Sequence, residues 1–351
     1  MTGQVETPRR VLVRAPNWLG DAVLALPAIA AVRRRHAHAH LTVAGPPAVA
    51  AVFREITDAR PDHVLDLPSK HRDIVRVIRD GRFDLGILLP NSFQSAWDLR
   101  RAGVPERWGY PTSGRRLALT KQATRPRARD LSHHADYFRI LMRGLGFEVG
   151  DEAPRVTASD ATRARTTALL AQMKVPTSAV LVGLAPGAAY GEAKQWPPER
   201  AAALAAKLVR GRDTTCVVVG AVHDRPAARA IETWLRANAP DAVPRVVDLT
   251  GRTSVSGLVG VTERCRAFVS NDSGAMHVAA ALGVPLTAVF GPTNEKVTAP
   301  AGPGPRDLIR RDVFCRPCML RECPIDHRCM TRIRIDDVLA SLDATSSLPR
   351  S

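Results

Sequence analysis

Four short stretches carry residue types suited to chemistry, and each stands where a β-rich run gives way to a polar turn. In "SNDSGAMH", residues 270–277, Asp272, Ser273, Gly274 and His277 head an otherwise apolar run. Asp272 or Ser273 can cap a helix there, and Gly274 lets a ligand approach the backbone. The remaining amides and the positive helix end then form a site for a phosphate or diphosphate. Helical side chains lean toward the amino end, so His277 points back at the same anion. An ordinary cap above a satisfied core histidine is the alternative. In "LAPGAAYGEAKQWPPER", residues 184–200, a strand ends at Pro186-Gly187, and Lys194 and Trp196 precede a helix. Lys194 is a point charge for a leaving phosphate; Trp196 either lines the site or packs above the helix start. In "RAPNWLGDAVLALP", residues 14–27, Gly20 and Asp21 open a helix, with Asp21 a cap or a general base. In "VVVGAVHDRPAARA", residues 217–230, His223 or Asp224 could meet a ribose hydroxyl.

Other motifs are missing. No G-x-G-x-x-G follows a strand and no G-x-x-x-x-G-K-[ST] occurs, so dinucleotide and P-loop signatures are absent. There is no Asp-x-Asp for a metal–diphosphate clamp and no G-x-S-x-G nucleophile elbow. Cys315, Cys318, Cys323 and Cys329 follow as C-x2-C-x4-C-x5-C, with His327 as a spare ligand. Either a structural zinc or an iron–sulfur centre is conceivable, although the spacing is shorter than the usual paired-knuckle pattern. Cys216 and Cys265 lie on apolar elements and read as core.

The elements that must position these loops alternate. In the first half "RVLVRAP", "AHLTVAGP", "HVLDLP" and "FDLGILLPN" read as strands between helical runs such as "GDAVLALPAIAAVRRRHA" and "RDIVRVIRDG". The second half restarts with "AVLVGLAPG", "DTTCVVVGA", "PRVVDLTG", "AFVSND" and "LTAVFGPT" as strands, and "PPERAAALAAKLVRG" as a helix that Gly211 would stop. This pattern predicts two doubly wound α/β domains with parallel sheets, residues 1–160 and 161–351. The second holds the Cys-rich segment 315–329 and a final helix, "RIDDVLASL", free to pack on either domain. Ligands of such sheets bind beyond the carboxyl ends of the strands, which makes all four loops parts of one cleft.

The chain has 351 residues, 45% of them hydrophobic, which supports two globular cores. Apolar runs such as "AVLALPAIAAV" are too short to cross a bilayer. The first residues run straight into a strand, so no secretory signal and a cytoplasmic location are expected. Disulfides are not expected in that reducing compartment. Net charge is +16, which favours anionic partners. Residues 100–129 hold nine basic residues, Arg100, Arg101, Arg107, Arg115, Arg116, Lys121, Arg125, Arg127 and Arg129, against one acid, Glu106. They are solvated loop charges or an anion site. A nucleic-acid binder is disfavoured, because the basic stretch has no stacking array and aromatics are only 5% of the chain.

The stretches "PNWLGDAVLALPAI", "LPNSFQSA", "GLAPGAAYGEAKQWP" and "FVSNDSGAMHVAAALGVPLTAVFGPT" resemble the ADP-heptose:lipopolysaccharide heptosyltransferases of glycosyltransferase family 9, closest to the type II branch. The resemblance implies a GT-B fold of two Rossmann-like domains facing a cleft, acceptor on the N-terminal one and nucleotide sugar on the C-terminal one. It implies an inverting, metal-independent transfer of heptose from ADP-heptose to the inner core of lipopolysaccharide. Asp21 of the Gly20-Asp21 loop would be the base and Lys194 would meet the donor diphosphate. Gly187, Asp272, Ser273, Gly274 and His277 would bind the donor, and Asp224 its ribose. No cofactor or catalytic metal is implied. A similar cysteine segment occurs in some members only, so a metal there would be structural. The acceptor would be an anionic lipid-anchored glycan, met by peripheral contact at the inner face of the inner membrane. A different glycosyltransferase or an epimerase of the same fold is the alternative.

Overall fold

A computed structural model describes residues 8–127 and 132–348, which leaves Arg129 of the basic segment outside the described residues. The chain divides into two units, Met1–Pro154 and Arg155–Ser351, a little ahead of the boundary expected at 160.

The first unit is built on six parallel strands. Side by side they run His63–Asp66, His40–Gly45, Arg10–Arg14, Leu85–Leu88, Glu106–Gly109 and Lys121–Gln122. In chain order that is third, second, first, fourth, fifth, sixth. Val11, Leu12 and Val13 have no exposure, as expected for a parallel strand covered on both faces. Helices His71–Asp80 and Phe93–Arg101 share one core with Leu12, Ala44 and Leu88 through Ile74, Ile78, Ala96 and Leu99.

The second unit repeats the order with Val246–Asp248, Thr214–Val218, Val180–Ala185, Cys265–Asn271, Leu286–Val289 and Arg306–Ile309, again all parallel. Successive strand residues feed two separate cores, because side chains alternate across a sheet. Val182, Val218 and Val269 pack with helices Pro198–Arg212, Arg225–Asn238 and Ile335–Thr345. Leu181, Val217 and Phe268 pack with helices Asp160–Gln172, Val255–Glu263 and Gly274–Ala281. The final helix therefore belongs to the second unit. Helix Pro198–Arg212 runs through Gly211 rather than stopping there; Asp213, at φ 48°, makes the left-handed turn. Aspartate is one of the few residues that tolerate that conformation.

The basic segment is not one charged surface. Arg115 is fully buried. It donates to the carbonyls of Pro90 and Tyr110 and reaches Ser95 Oγ at 3.3 Å. Burial lowers its guanidinium to about 10, which leaves it charged at neutral pH. Arg107 donates to Val104, Pro105 and Ala118 carbonyls, Arg100 to Leu117 and Lys121 to Leu145. Five guanidinium donors suit carbonyl-rich turns, so part of the positive charge counted in this stretch holds the chain together. Arg101, Arg116 and Arg125 remain exposed. Arg115→Met leaves the Pro90 and Tyr110 carbonyls without their donor and is expected to lower stability by about 3 kcal/mol. Arg116→Gln, at an exposed site, should stay within about 0.5 kcal/mol. Urea unfolding of the full chain distinguishes the two; equal effects would contradict the internal role of Arg115.

Candidate active site

In each unit the first strand in chain order lies beside the fourth, and the chain leaves them toward opposite faces in the second unit, as its two cores show. Loops leaving neighbouring strands in opposite directions open a crevice at the carboxyl edge. The second unit places two of the four motif loops there, after Val180–Ala185 and after Cys265–Asn271.

Asn271 closes that strand pair. Its Nδ2 donates to the Pro186 carbonyl at 2.5 Å, and its Oδ1 accepts from the Trp196 amide at 3.2 Å. Trp196 itself packs in the core and donates Nε1 to the Ile333 carbonyl at 3.1 Å, so it is a structural residue. Between these anchors Lys194 donates to Asp272 Oδ2 at 2.7 Å, and Thr293 Oγ1 donates to the same oxygen at 2.7 Å. Lys194 is 8% exposed and Asp272 5%. The Lys194 ammonium also stands 4.6 Å from the centre of the Tyr190 ring.

This geometry corrects the capping expectation. Asp272 is spent on Lys194 and Thr293. Ser273 holds the N-cap position, but its hydroxyl lies 3.2 Å from Ser270 Oγ and makes no cap bond. No side chain caps the first turn of Gly274–Ala281, whose amides carry the positive end of the helix. His277 is buried in the body of that helix. Asp224 is buried; its Oδ2 accepts from the Ala221 amide at 2.8 Å, and His223 Nε2 is 3.4 Å from Oδ1. The carboxylate lies so close to Gly187 that a Cβ there would stand 2.0 Å from Oδ1, which accounts for glycine at 187.

In the first unit the corresponding loops follow Arg10–Arg14 and Leu85–Leu88. Asp21 is the third residue of helix Leu19–Leu24, not its cap, a position where an acid is favoured by the helix field. Gly20 precedes it in the same turn. His134 Nδ1 lies 3.3 Å from Asp21 Oδ1. Burial pushes the Asp21 carboxyl above the ordinary aspartate range, and His134 opposes that shift. Nearby in sequence, Arg14 Nη2 donates to Asn17 Oδ1 at 3.0 Å. In the second loop Asn91 Oδ1 accepts from Tyr137 Oη at 2.8 Å, and its carbonyl accepts from Thr112 at 3.0 Å. A partly buried carboxylate with a raised pKa suits proton abstraction.

The sequence points to Asp272 but neither to its partner Thr293 nor to the anchoring role of Asn271. An asparagine at the last residue of a buried strand was the available signal for the second; nothing local signalled the first. The four cysteines lie in one segment, yet among the described residues no three His, Cys, Asp or Glu side chains stand in a metal-binding arrangement.

Residues 71–328 match the family described as Glycosyltransferase family 9 (heptosyltransferase). The chain belongs to glycosyltransferase family 9. The matched region contains Gly187, Lys194, Asp224, Asp272, Ser273, Gly274 and His277, while Gly20 and Asp21 precede it. Among family 9 relatives, the chain is 30% identical over 312 residues to lipooligosaccharide heptosyltransferase 2 of Haemophilus ducreyi, covering 83% of this chain and 86% of that one. It is 28% identical to lipopolysaccharide heptosyltransferase 2 of Escherichia coli K12, covering 83% and 85%. The solved structure of E. coli ADP-heptose lps heptosyltransferase II superposes with a TM-score of 0.81 at 25% identity, over 96% of this chain and 98% of that one. The expected GT-B class, with two Rossmann-like parallel-sheet units, is borne out, and the chain is a glycosyltransferase.

The shared Asp272 oxygen makes a direct prediction for this family 9 site. Thr293→Val removes one of its two donors at nearly constant volume and should destabilise the second unit by about 1–3 kcal/mol. Thr293→Ser keeps the hydroxyl and should recover most of the loss in thermal unfolding. A valine variant as stable as the unaltered chain would mean that the hydrogen bond to Asp272 contributes nothing.

Proposed function

We propose that the chain is an inverting heptosyltransferase that moves heptose from ADP-heptose to the inner core of lipopolysaccharide, without a metal in the transfer step. The observation that carries this reading is the uncapped amino end of Gly274–Ala281 beside the buried Lys194–Asp272 pair. Nucleoside diphosphate recognition needs donors fixed before the ligand arrives. Asp272 offsets part of the Lys194 charge but orients its ammonium, so Lys194 acts chiefly as an aimed hydrogen-bond donor. His277 and the Gly274 backbone complete the diphosphate site, Ser273 opens it, and Asp224 with Gly187 receives the ribose. The ADP-heptose donor and the lipopolysaccharide acceptor follow the names of the relatives, and the inner core follows the family resemblance.

In the reaction, Asp21 on the first unit takes the proton from an acceptor hydroxyl. That oxygen forms a bond to the anomeric carbon as the bond to the diphosphate breaks, and ADP leaves with the electron pair. One displacement inverts the configuration. Each preorganised donor to the leaving diphosphate contributes about 3 kcal/mol, by analogy with oxyanion holes. No helix among the described residues is long and apolar enough to cross a membrane. Peripheral contact at the cytoplasmic face of the inner membrane is supported by an exposed apolar group in the first unit. There Phe93 and Trp97 stack at 5.7 Å, Arg100 lies over Trp97, and Leu117 is 85% exposed.

The assay is direct: ADP-heptose with a heptose-terminated core acceptor should release ADP as the acceptor gains one sugar. Asp21→Asn should cut kcat by about 10²–10⁴-fold and leave ADP affinity unchanged. The base works only when ionised, so kcat/KM falls as pH drops through the raised Asp21 pKa. His134 lowers that pKa, so His134→Gln should move the acid limb to higher pH. A limb that stays put or moves down would remove Asp21 as the base.

A further inference from the structure

The segment from Asp312 to His327 has no role in the reaction above, and it forms neither helix nor strand. It nevertheless lies against the loop that carries Lys194. Tyr190 donates to the Met319 carbonyl at 2.7 Å, and the Ala193 amide donates to the Arg321 carbonyl at 3.0 Å. The His327 ring nitrogen Nε2 lies 2.6 Å from the Ala193 carbonyl. Gly191, at φ 153°, passes so close to Arg321 that a Cβ there would stand 2.4 Å from the Arg321 carbonyl oxygen. Arg316 ties the same segment to the Thr293 loop, donating to the carbonyls of Gly291 and Thr293 and to Glu295. The backbone of Arg321 is therefore fixed beside Lys194 without help from its own side chain.

That side chain is exposed, and its guanidinium lies over the Tyr190 ring, 5.3 Å from the centre. The Lys194 ammonium stands 4.6 Å from the centre of the same ring. One tyrosine thus attracts two cations, each within cation–π range. Their surroundings differ. Lys194 is buried, and Asp272 offsets its charge. Among the described residues no carboxylate is paired with Arg321. A guanidinium held over a ring still has N–H donors in its own plane, in the fork that matches phosphate oxygens. A leaving nucleoside diphosphate carries more than one negative charge. With Lys194 already balanced by Asp272, the uncompensated cation beside this loop is Arg321.

We propose that Arg321 is the second cation of the donor site, meeting the diphosphate of the nucleotide beside Lys194. Tyr190 is the positioning residue that holds the guanidinium over its ring. The inference rests on the reading of the Gly274–Ala281 amino end as a diphosphate site, and it gives the irregular segment a part in donor binding.

The test is ADP binding by the full chain, read by titration calorimetry. Arg321→Gln should weaken ADP by about tenfold or more, the scale of a charge-assisted hydrogen bond. Arg321→Lys keeps the charge and should recover part of that loss. Tyr190→Leu should weaken ADP by about threefold. Tyr190→Phe keeps the ring and should recover most of that loss; a phenylalanine variant as weak as the leucine one would overturn the positioning role. A second measurement needs no variant. A dicarbonyl reagent such as phenylglyoxal modifies exposed arginines, and saturating ADP should protect Arg321 while leaving Arg116, exposed on the first unit, as reactive as before. Unchanged ADP affinity in Arg321→Gln, or an Arg321 equally reactive with ADP bound, overturns the proposal alone. A chain that binds no ADP at all overturns the donor-site reading and this proposal together, so the two failures are told apart.

Discussion

The Lys194–Asp272 contact fixes the second unit's site before any ligand is bound. Two opposite charges are buried together, and each would be costly to leave alone there. Asp272 Oδ2 receives both Lys194 and Thr293, so its geometry is set from two directions. The loop from Pro186 to Trp196 is consequently held at three points: its first carbonyl and its last amide by Asn271, and its lysine by Asp272. Lifting the loop would strand a charge and break two hydrogen bonds. Such a site needs little reorganisation when an anion arrives, the condition under which fixed donors contribute most to a transition state.

The sheet explains why these residues meet. Strands Val180–Ala185 and Cys265–Asn271 are neighbours, though Pro186 and Asn271 are 85 positions apart in the chain, and their following helices pack in different cores. The first unit repeats the arrangement with Arg10–Arg14 and Leu85–Leu88 but fills its edge differently. There the edge holds a carboxylate whose proton affinity is raised by burial, beside a histidine that restrains the rise. In the proposed reaction, one topology thus serves as an anion site in one unit and a proton acceptor in the other.

Much of this was legible in the sequence. Val11–Val13 and Val180–Ala185 read as buried strands because sheets covered on both faces demand unbroken apolar runs. The helix at Gly274 announced itself by a polar turn before an apolar stretch. What stayed hidden depends on distant partners. Ser273 reads as a cap from its position alone; only the nearness of Ser270 Oγ shows its hydroxyl turned elsewhere. Thr293 joins Asp272 from the loop that follows the neighbouring strand, Leu286–Val289. Charge counting treats Arg115 and Arg116 alike, although one is sealed under the Pro90 turn and the other faces water. Spacing marked the four cysteines but not the contacts by which Arg316, Met319 and His327 of the same segment meet the loops bearing Lys194 and Thr293.

The central claim is that a nucleoside diphosphate sits on the free amides at the start of Gly274–Ala281. Amide hydrogen exchange of the full chain, with and without saturating ADP, tests it most directly. Protection should rise in the segment covering Gly274, Ala275 and Met276 and in the Lys194 loop. Protection elsewhere, with exchange in those segments unchanged, would contradict the account.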